Sequence, residues 1–155
     1  MAEAADKPGV IAPPPLIYLA ALGAGFLLDA LLPSASLSNT VSVPLGIALI
    51  AAGVALQSSF VVAFIRAGTN IDPGKPTKTI VTSGPYRLTR NPGYLGMALI
   101  VAGIAILAEA LWILAPLAVA VVVVDRAVIA REERYLEGKF GEEYLAYKRT
   151  ARRWI

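Results

Sequence analysis

The chain has no cysteine and no histidine among its 155 residues. Without cysteine there is no disulfide, no thiolate metal ligand and no thiol nucleophile. Without histidine a His-rich metal site is excluded, and a general base must be Asp, Glu, Lys or Tyr. Charge is scarce as well: Asp, Glu, Lys and Arg make up 16% of the residues against 57% hydrophobic, and the mean hydropathy is +0.65. A soluble domain this small could not cover its surface with so little polar sequence, since roughly 45–50% apolar is usual. The apolar residues also come in long blocks, which points to a bilayer. The formal charge of +3 is modest. Its basic residues lie beside the apolar blocks, where they suit anionic lipid headgroups better than nucleic acid. The opening MAEAADKPGV lacks the basic start and cleavage site of a signal peptide. Residues 1–15 are therefore expected to be a mature, flexible lead-in to one domain covering 1–155.

Four apolar blocks are long enough, or nearly so, to cross about 30 Å of hydrocarbon as helices. The first runs from about Leu16 to Leu32, between Pro13-Pro14-Pro15 and Pro33, with Asp29 near one end. The second, about Val43 to Ile65, is the longest uncharged run. The third, Tyr94 to Leu107, is short and stops before a tight turn at Glu109; the fourth runs from about Leu111 to Ile129. Neither the 33–42 connection nor the Glu109 turn contains Lys or Arg. The segment from Arg66 to Arg90 holds Arg66, Lys75, Lys78, Arg87 and Arg90, and the tail after Arg131 is richer still. The positive-inside rule then places both termini and the middle loop in the cytoplasm. The fold expected is all-α: a polytopic membrane protein of about four transmembrane helices with a cytoplasmic helical tail. Gly46 and Gly53, and likewise Gly96 and Gly103, are spaced seven apart on one helical face, as close packing between membrane helices requires.

Two polar stretches flank the third and fourth blocks. The first is Thr82-Ser-Gly-Pro-Tyr-Arg-Leu-Thr-Arg-Asn-Pro-Gly-Tyr-Leu-Gly96; the second is Asp125-Arg-Ala-Val-Ile-Ala-Arg-Glu-Glu-Arg-Tyr-Leu136. An antiparallel hairpin of the last two helices brings them to the same membrane face. Taken singly, each part has a bland reading. Arg87 and Arg90 can hold lipid phosphates, Asn91-Pro92 can be a helix cap and first turn, and Glu132 and Glu133 can be solvated charges paired with nearby arginines. Adjacent helical positions differ by about 100°, so at most one of the two glutamates faces a pocket squarely.

Together the stretches resemble the G-P-Y-R-x-x-R-[HN]-P-x-Y-x-G motif of the isoprenylcysteine carboxyl methyltransferase and phospholipid methyltransferase superfamily. Arg131-Glu-Glu-Arg-Tyr-Leu136, Phe140-Gly-Glu-Glu-Tyr144, Tyr147 and the closing Arg152-Arg153-Trp154 are similar to the second half of its signature. The likeness covers roughly Thr79 to the C-terminus, while the first two spans, within 16–65, match only in general character. It implies an S-adenosylmethionine site that is not Rossmann-like, built mainly by residues 79–155 with no metal. By position, Tyr86, Asn91, Tyr94, Gly96, Arg131, Glu132 and Glu133 fall at the cofactor, and Arg87, Arg90 and Glu133 in catalysis. Arg87 or Arg90 would hold an anionic group, a glutamate would meet the cofactor's cation or accept a proton, and Tyr94 or Tyr86 could face the sulfonium.

Isoprenylcysteine enzymes usually have His where this chain has Asn91, whereas phospholipid methyltransferases often have Asn-Pro. Asn keeps a donor and an acceptor but cannot carry a proton charge. The implied activity is methyl transfer to a membrane lipid or lipidated small molecule, isoprenylcysteine carboxyl methyltransferase-like or with an ethanolamine-type amine as acceptor, in a bacterial inner membrane. A membrane sterol or enone reductase using NADPH and a non-enzymatic membrane scaffold are the rival readings.

Overall fold

The computed structural model describes residue 9, residues 12–71 and residues 75–155. Most of the expected N-terminal lead-in therefore lies outside the described residues. Among the described residues six α-helices follow one another: α1 (Pro14–Leu31), α2 (Asn39–Ala67), α3 (Pro92–Leu107), α4 (Leu114–Val123), α5 (Ala130–Phe140) and α6 (Glu142–Thr150). A 3-10 turn, Leu111–Ile113, leads into α4, and a π-helical segment, Val124–Ile129, joins α4 to α5. The run Leu111–Phe140 is thus one continuous rod of 30 residues.

The apolar blocks of the sequence appear as helices, with boundaries moved by caps. α1 starts two residues early because Pro14 and Pro15 suit a helix's first turn, where the missing N–H costs nothing. α2 starts at Asn39, ahead of its apolar run, because the Ser38 hydroxyl accepts from Thr40 N. It ends at Gly68, whose φ of 63° is a left-handed conformation open to glycine. Its 29 residues reach about 43 Å, more than a bilayer core needs. α3 has only 16 residues, about 24 Å. The helix that carries the fourth span does not stop where the span does, at Ile129. Nothing in Ala-Arg-Glu-Glu-Arg-Tyr-Leu-Glu breaks a helix, so the rod continues into α5, past the apolar stretch that suits hydrocarbon.

Among the described residues three helices, α1, α2 and the Leu111–Phe140 rod, are long and apolar enough to cross a membrane; α3 is a shorter apolar helix. Large apolar side chains point outward along them: Leu27 is 62% exposed and Val119 63%. Facing lipid, such side chains need no burial in protein. The interior is made of small and β-branched residues instead, among them Ala105, Ile113, Val124, Val128 and Ile129, all essentially inaccessible.

Glycines bring α2 against α3. A methyl added at Gly53 would lie 2.6 Å from the Gly96 carbonyl oxygen, and one at Gly103 would lie 2.8 Å from that of Gly46. The expected small-residue packing is therefore an interface between α2 and α3 of the same chain. α1 packs on the rod, with Gly25 against Ile113. At one end of the bundle the Glu109 turn is held by Ser36 Oγ donating to Glu109 Oε2 at 2.8 Å. At the other end the start of α1, the end of α2, the start of α3 and all of α5 and α6 converge.

Candidate functional site

At that second end lies a cavity of about 950 Å³. Ligand pockets of roughly 300–1,000 Å³ are usual, so it has room for a nucleoside-sized molecule and part of a second. One side is aromatic: Phe60 and Phe64 of α2 pack on each other at 4.9 Å and Phe64 on Tyr86 at 5.9 Å, with Tyr144 and Tyr147 of α6 completing the wall. Gln57, Asn91, Tyr94, Met97 and Glu132 line the rest, together with Pro13–Pro15 at the start of α1. The cavity therefore draws on the first two spans as well as on residues 79–155.

The first turn of α3 is fixed from three sides. Pro92 sets the entry, Gln57 Nε2 donates to Gly93 O at 3.1 Å, and Tyr18 Oη donates to Tyr94 O at 3.1 Å. Asn91 occupies the cap position without capping. Its Nδ2 donates to Arg153 O at 2.9 Å, and its Oδ1 has no protein partner among the described residues. A helix start whose cap residue turns away leaves its first N–H groups open to a ligand.

The two adjacent glutamates have opposite surroundings. Glu133 is buried and saturated with cations: Arg90 Nη2 reaches Oε1 at 2.8 Å, Arg153 Nη2 reaches Oε2 at 2.5 Å, and Lys148 Nζ lies 3.7 Å away. Burial alone would raise the Glu133 pKa, but the hydrogen bonds from Arg153 and Arg90 more than offset it and hold the carboxyl below its ordinary value. Glu132 has no such cation among the described residues. Its Oε1 accepts from Tyr94 Oη at 2.6 Å. Desolvation raises its pKa to about 7, the Glu133 charge adds to this, and the Tyr94 bond opposes it. A carboxyl that titrates near neutrality on a cavity wall suits proton transfer.

Arg90 is as fully bonded as its partner. Its Nη1 donates to Lys148 O at 3.1 Å and Ala151 O at 2.6 Å, its Nε and Nη2 to Glu133, and its main-chain N to Arg152 O at 2.8 Å. The C-terminal tail is bolted on by this residue, by Thr89 Oγ1 donating to Arg153 O at 3.1 Å, and by Trp154 Nε1 donating to Asp125 Oδ1 at 2.9 Å.

A model of the family described as phospholipid methyltransferase matches residues 41–143 of this sequence. The chain belongs to the phospholipid methyltransferase family. The family model and the resemblance of the two polar motifs point to the same group of membrane proteins. Over 76 residues it is 40% identical to the cobalt-zinc-cadmium resistance protein CzcN of Cupriavidus metallidurans, a stretch that is 49% of this chain and 35% of that protein. Over 67 residues it is 43% identical to an uncharacterized protein of Haemophilus influenzae, covering 40% of this chain and 98% of that one. The chain thus spans little more than a third of the length of CzcN. No solved structure matches.

Against this phospholipid methyltransferase background, the site residues singled out by sequence separate into groups. Tyr86, Arg90, Asn91, Tyr94, Glu132 and Glu133 line the cavity together. Gly96 faces Gly53 and serves the α2–α3 contact. Arg131 points away and donates to Gly9 O at 2.9 Å. Arg87 is exposed, off the cavity, and has no side-chain partner among the described residues. Sequence reading missed Gln57, Phe60 and Phe64. A glutamine in the middle of an otherwise uncharged span was the available signal, because a buried amide in a membrane helix needs a partner.

Proposed function

We propose that this chain transfers a methyl group from S-adenosylmethionine to an amine on a lipophilic acceptor, an ethanolamine-type phospholipid or similar, at the cytoplasmic face of a bacterial inner membrane. The observation that carries the reading is the charge balance of the cavity. Arg90 and Glu133 neutralise each other, no other Lys or Arg among the described residues lines the space, and the uncompensated group is Glu132. A carboxylate acceptor such as a prenylated cysteine would find no free cation there, whereas an ammonium would find Glu132. The phosphate of an ethanolamine lipid, two carbons from the amine, can remain at the mouth, where exposed Lys78 lies between the lining residues Thr77 and Thr79.

The donor set also fits the cofactor. Asn91 Oδ1 is a free acceptor for an amino group, the open first turn of α3 suits a carboxylate, and the aromatic wall suits a flat base or a cation. When bound, S-adenosylmethionine supplies an electrophilic methyl on a positively charged sulfur. The residues of the chain do the rest. Glu132 would take the proton from the ammonium and so leave the nitrogen lone pair free to accept the methyl group that the bound cofactor would supply. Tyr94 holds Glu132 in place through its 2.6 Å bond. Phe60, Phe64 and Tyr86 keep water out. Positioning of this kind can contribute about 7–11 kcal/mol of barrier reduction.

Calorimetric titration of the detergent-purified chain tests the cofactor. Saturable binding of S-adenosylmethionine, weakened by Asn91→Ala, supports the reading. Binding of NADPH in its place moves the chain to reductase chemistry, and binding of neither leaves a scaffold.

A further inference from the structure

The C-terminal tail contributes no atom to the cavity wall beyond α6, yet every polar bond of Arg153 ends on a segment that builds that wall or anchors it. Its guanidinium donates to Glu133 through Nε at 3.2 Å and Nη2 at 2.5 Å, and through Nη1 to both oxygens of Asp125 at 3.3 Å. Its main-chain oxygen accepts from Thr89 Oγ1 at 3.1 Å and from Asn91 Nδ2 at 2.9 Å. One residue thus ties the 89–91 entry of α3 to α5 on one side and to the π-helical segment on the other. The π segment matters because π turns within α-helices re-aim the downstream turns and are frequent at functional sites. Asp125, inside it, has Arg153 and Trp154 as its long-range partners.

The cavity is affected in two ways. With its Nδ2 held by the Arg153 carbonyl, Asn91 must present Oδ1, an acceptor, to the ligand. With Glu133 clamped between Arg90 and Arg153, the rotation of α5 is set, and the neighbouring Glu132, about 100° around the helix, is aimed at Tyr94 and the open space. We propose that Arg153 is a positioning residue for the cofactor site, acting through Glu133, Asp125 and Asn91 without touching the ligand. This rests on the reading of the cavity as the S-adenosylmethionine site.

The neighbouring Arg152 provides the control. Its side chain is exposed and has no partner among the described residues, so it carries the same charge without the bonds. The experiment is calorimetric titration of the full chain in detergent with S-adenosylmethionine, at a temperature well below each variant's melting midpoint. Arg153→Gln is expected to weaken binding by about tenfold or more, the loss of one or two charge-assisted hydrogen bonds. Arg153→Lys keeps the charge but cannot fork between two carboxylates, and is expected to recover part of the affinity. Arg152→Gln is expected to stay within about twofold, as for a screened surface charge. Rescue by lysine and indifference at 152 separate positioning from a general loss of tail stability. Equal affinity of Arg153→Gln and the unaltered chain overturns the proposal, as does an equal loss at 152 and 153. If the unaltered chain itself binds no S-adenosylmethionine, the cofactor reading fails and this inference falls with it; the first two outcomes leave that reading standing.

Discussion

Gly53→Ala should destabilise the bundle although it adds a single methyl to a helix. The new carbon would lie 2.6 Å from the Gly96 carbonyl oxygen and 2.6 Å from Ile100 Cγ1. Ordinary carbon contacts are about 3.5–4.0 Å, so α2 and α3 must part by on the order of 1 Å at this turn. Overpacking of a fitted interface costs about 1–3 kcal/mol, and replacing glycine in a helix returns about 1 kcal/mol, leaving a net loss of up to about 2 kcal/mol. The control is Gly23→Ala in α1, where an added methyl meets nothing within 4 Å. There only the helix gain remains, up to about 1 kcal/mol in the stabilising direction. Reversible unfolding in mixed detergent micelles containing increasing SDS would compare the two. The Gly53 variant should also bind the cofactor more weakly, since Gln57, one turn on, would lose its 3.1 Å bond to Gly93 O. If Gly53→Ala unfolds no more easily than Gly23→Ala, the close approach of α2 and α3 is wrong.

Further predictions concern the charged groups. Glu132→Gln should reduce turnover by about 10²–10⁴-fold, the usual contribution of a positioned proton acceptor, while leaving the melting midpoint near that of the unaltered chain. Because Glu132 must be ionised to accept a proton and its pKa is raised to about 7, turnover should climb as pH rises through about 7 and then level off. A pH–rate profile lacking that limb would remove Glu132 from the role. Arg90→Met should lower the thermal midpoint, because it strips Lys148 O and Ala151 O of their donor and leaves buried Glu133 to Arg153 and Lys148 alone; a buried acceptor left without its donor costs about 1–3 kcal/mol. Arg87→Gln should leave both cofactor affinity and stability essentially unchanged, measured by titration and melting, because the side chain is exposed and off the cavity.

The four apolar blocks were legible because hydrophobic length is a signal that each segment carries alone. Their ends were less so. Ser38 capping extends α2 past its apolar run, and helix-forming charged residues carry the helix of the fourth span on into α5. Of the site, the two motifs lie at the end of the bundle that holds the cavity, and both adjacent glutamates line it although helix geometry predicts that at most one faces it squarely. Which of them is left without a cation was hidden, because it depends on Arg90, Lys148 and Arg153, the last beyond the end of α6. Arg90 looked from its charge like a binder of anions. Its fate was decided by tail carbonyls more than fifty residues away. Gly96 lay within a cofactor motif, yet the partner that fixes its use is Gly53 on another helix. A lone sequence position does not reveal which of two surfaces it will face.

Methyl transfer to an amine is tested most directly by following the label. Purified chain reconstituted in vesicles containing phosphatidylethanolamine and a prenylcysteine would be given S-adenosylmethionine labelled in the methyl group. Label is expected in the N-methylated lipid and is expected to be lost with Glu132→Gln. Label transferred to a prenylcysteine carboxylate and none to the amine, from a chain shown to bind the cofactor, would contradict amine methylation.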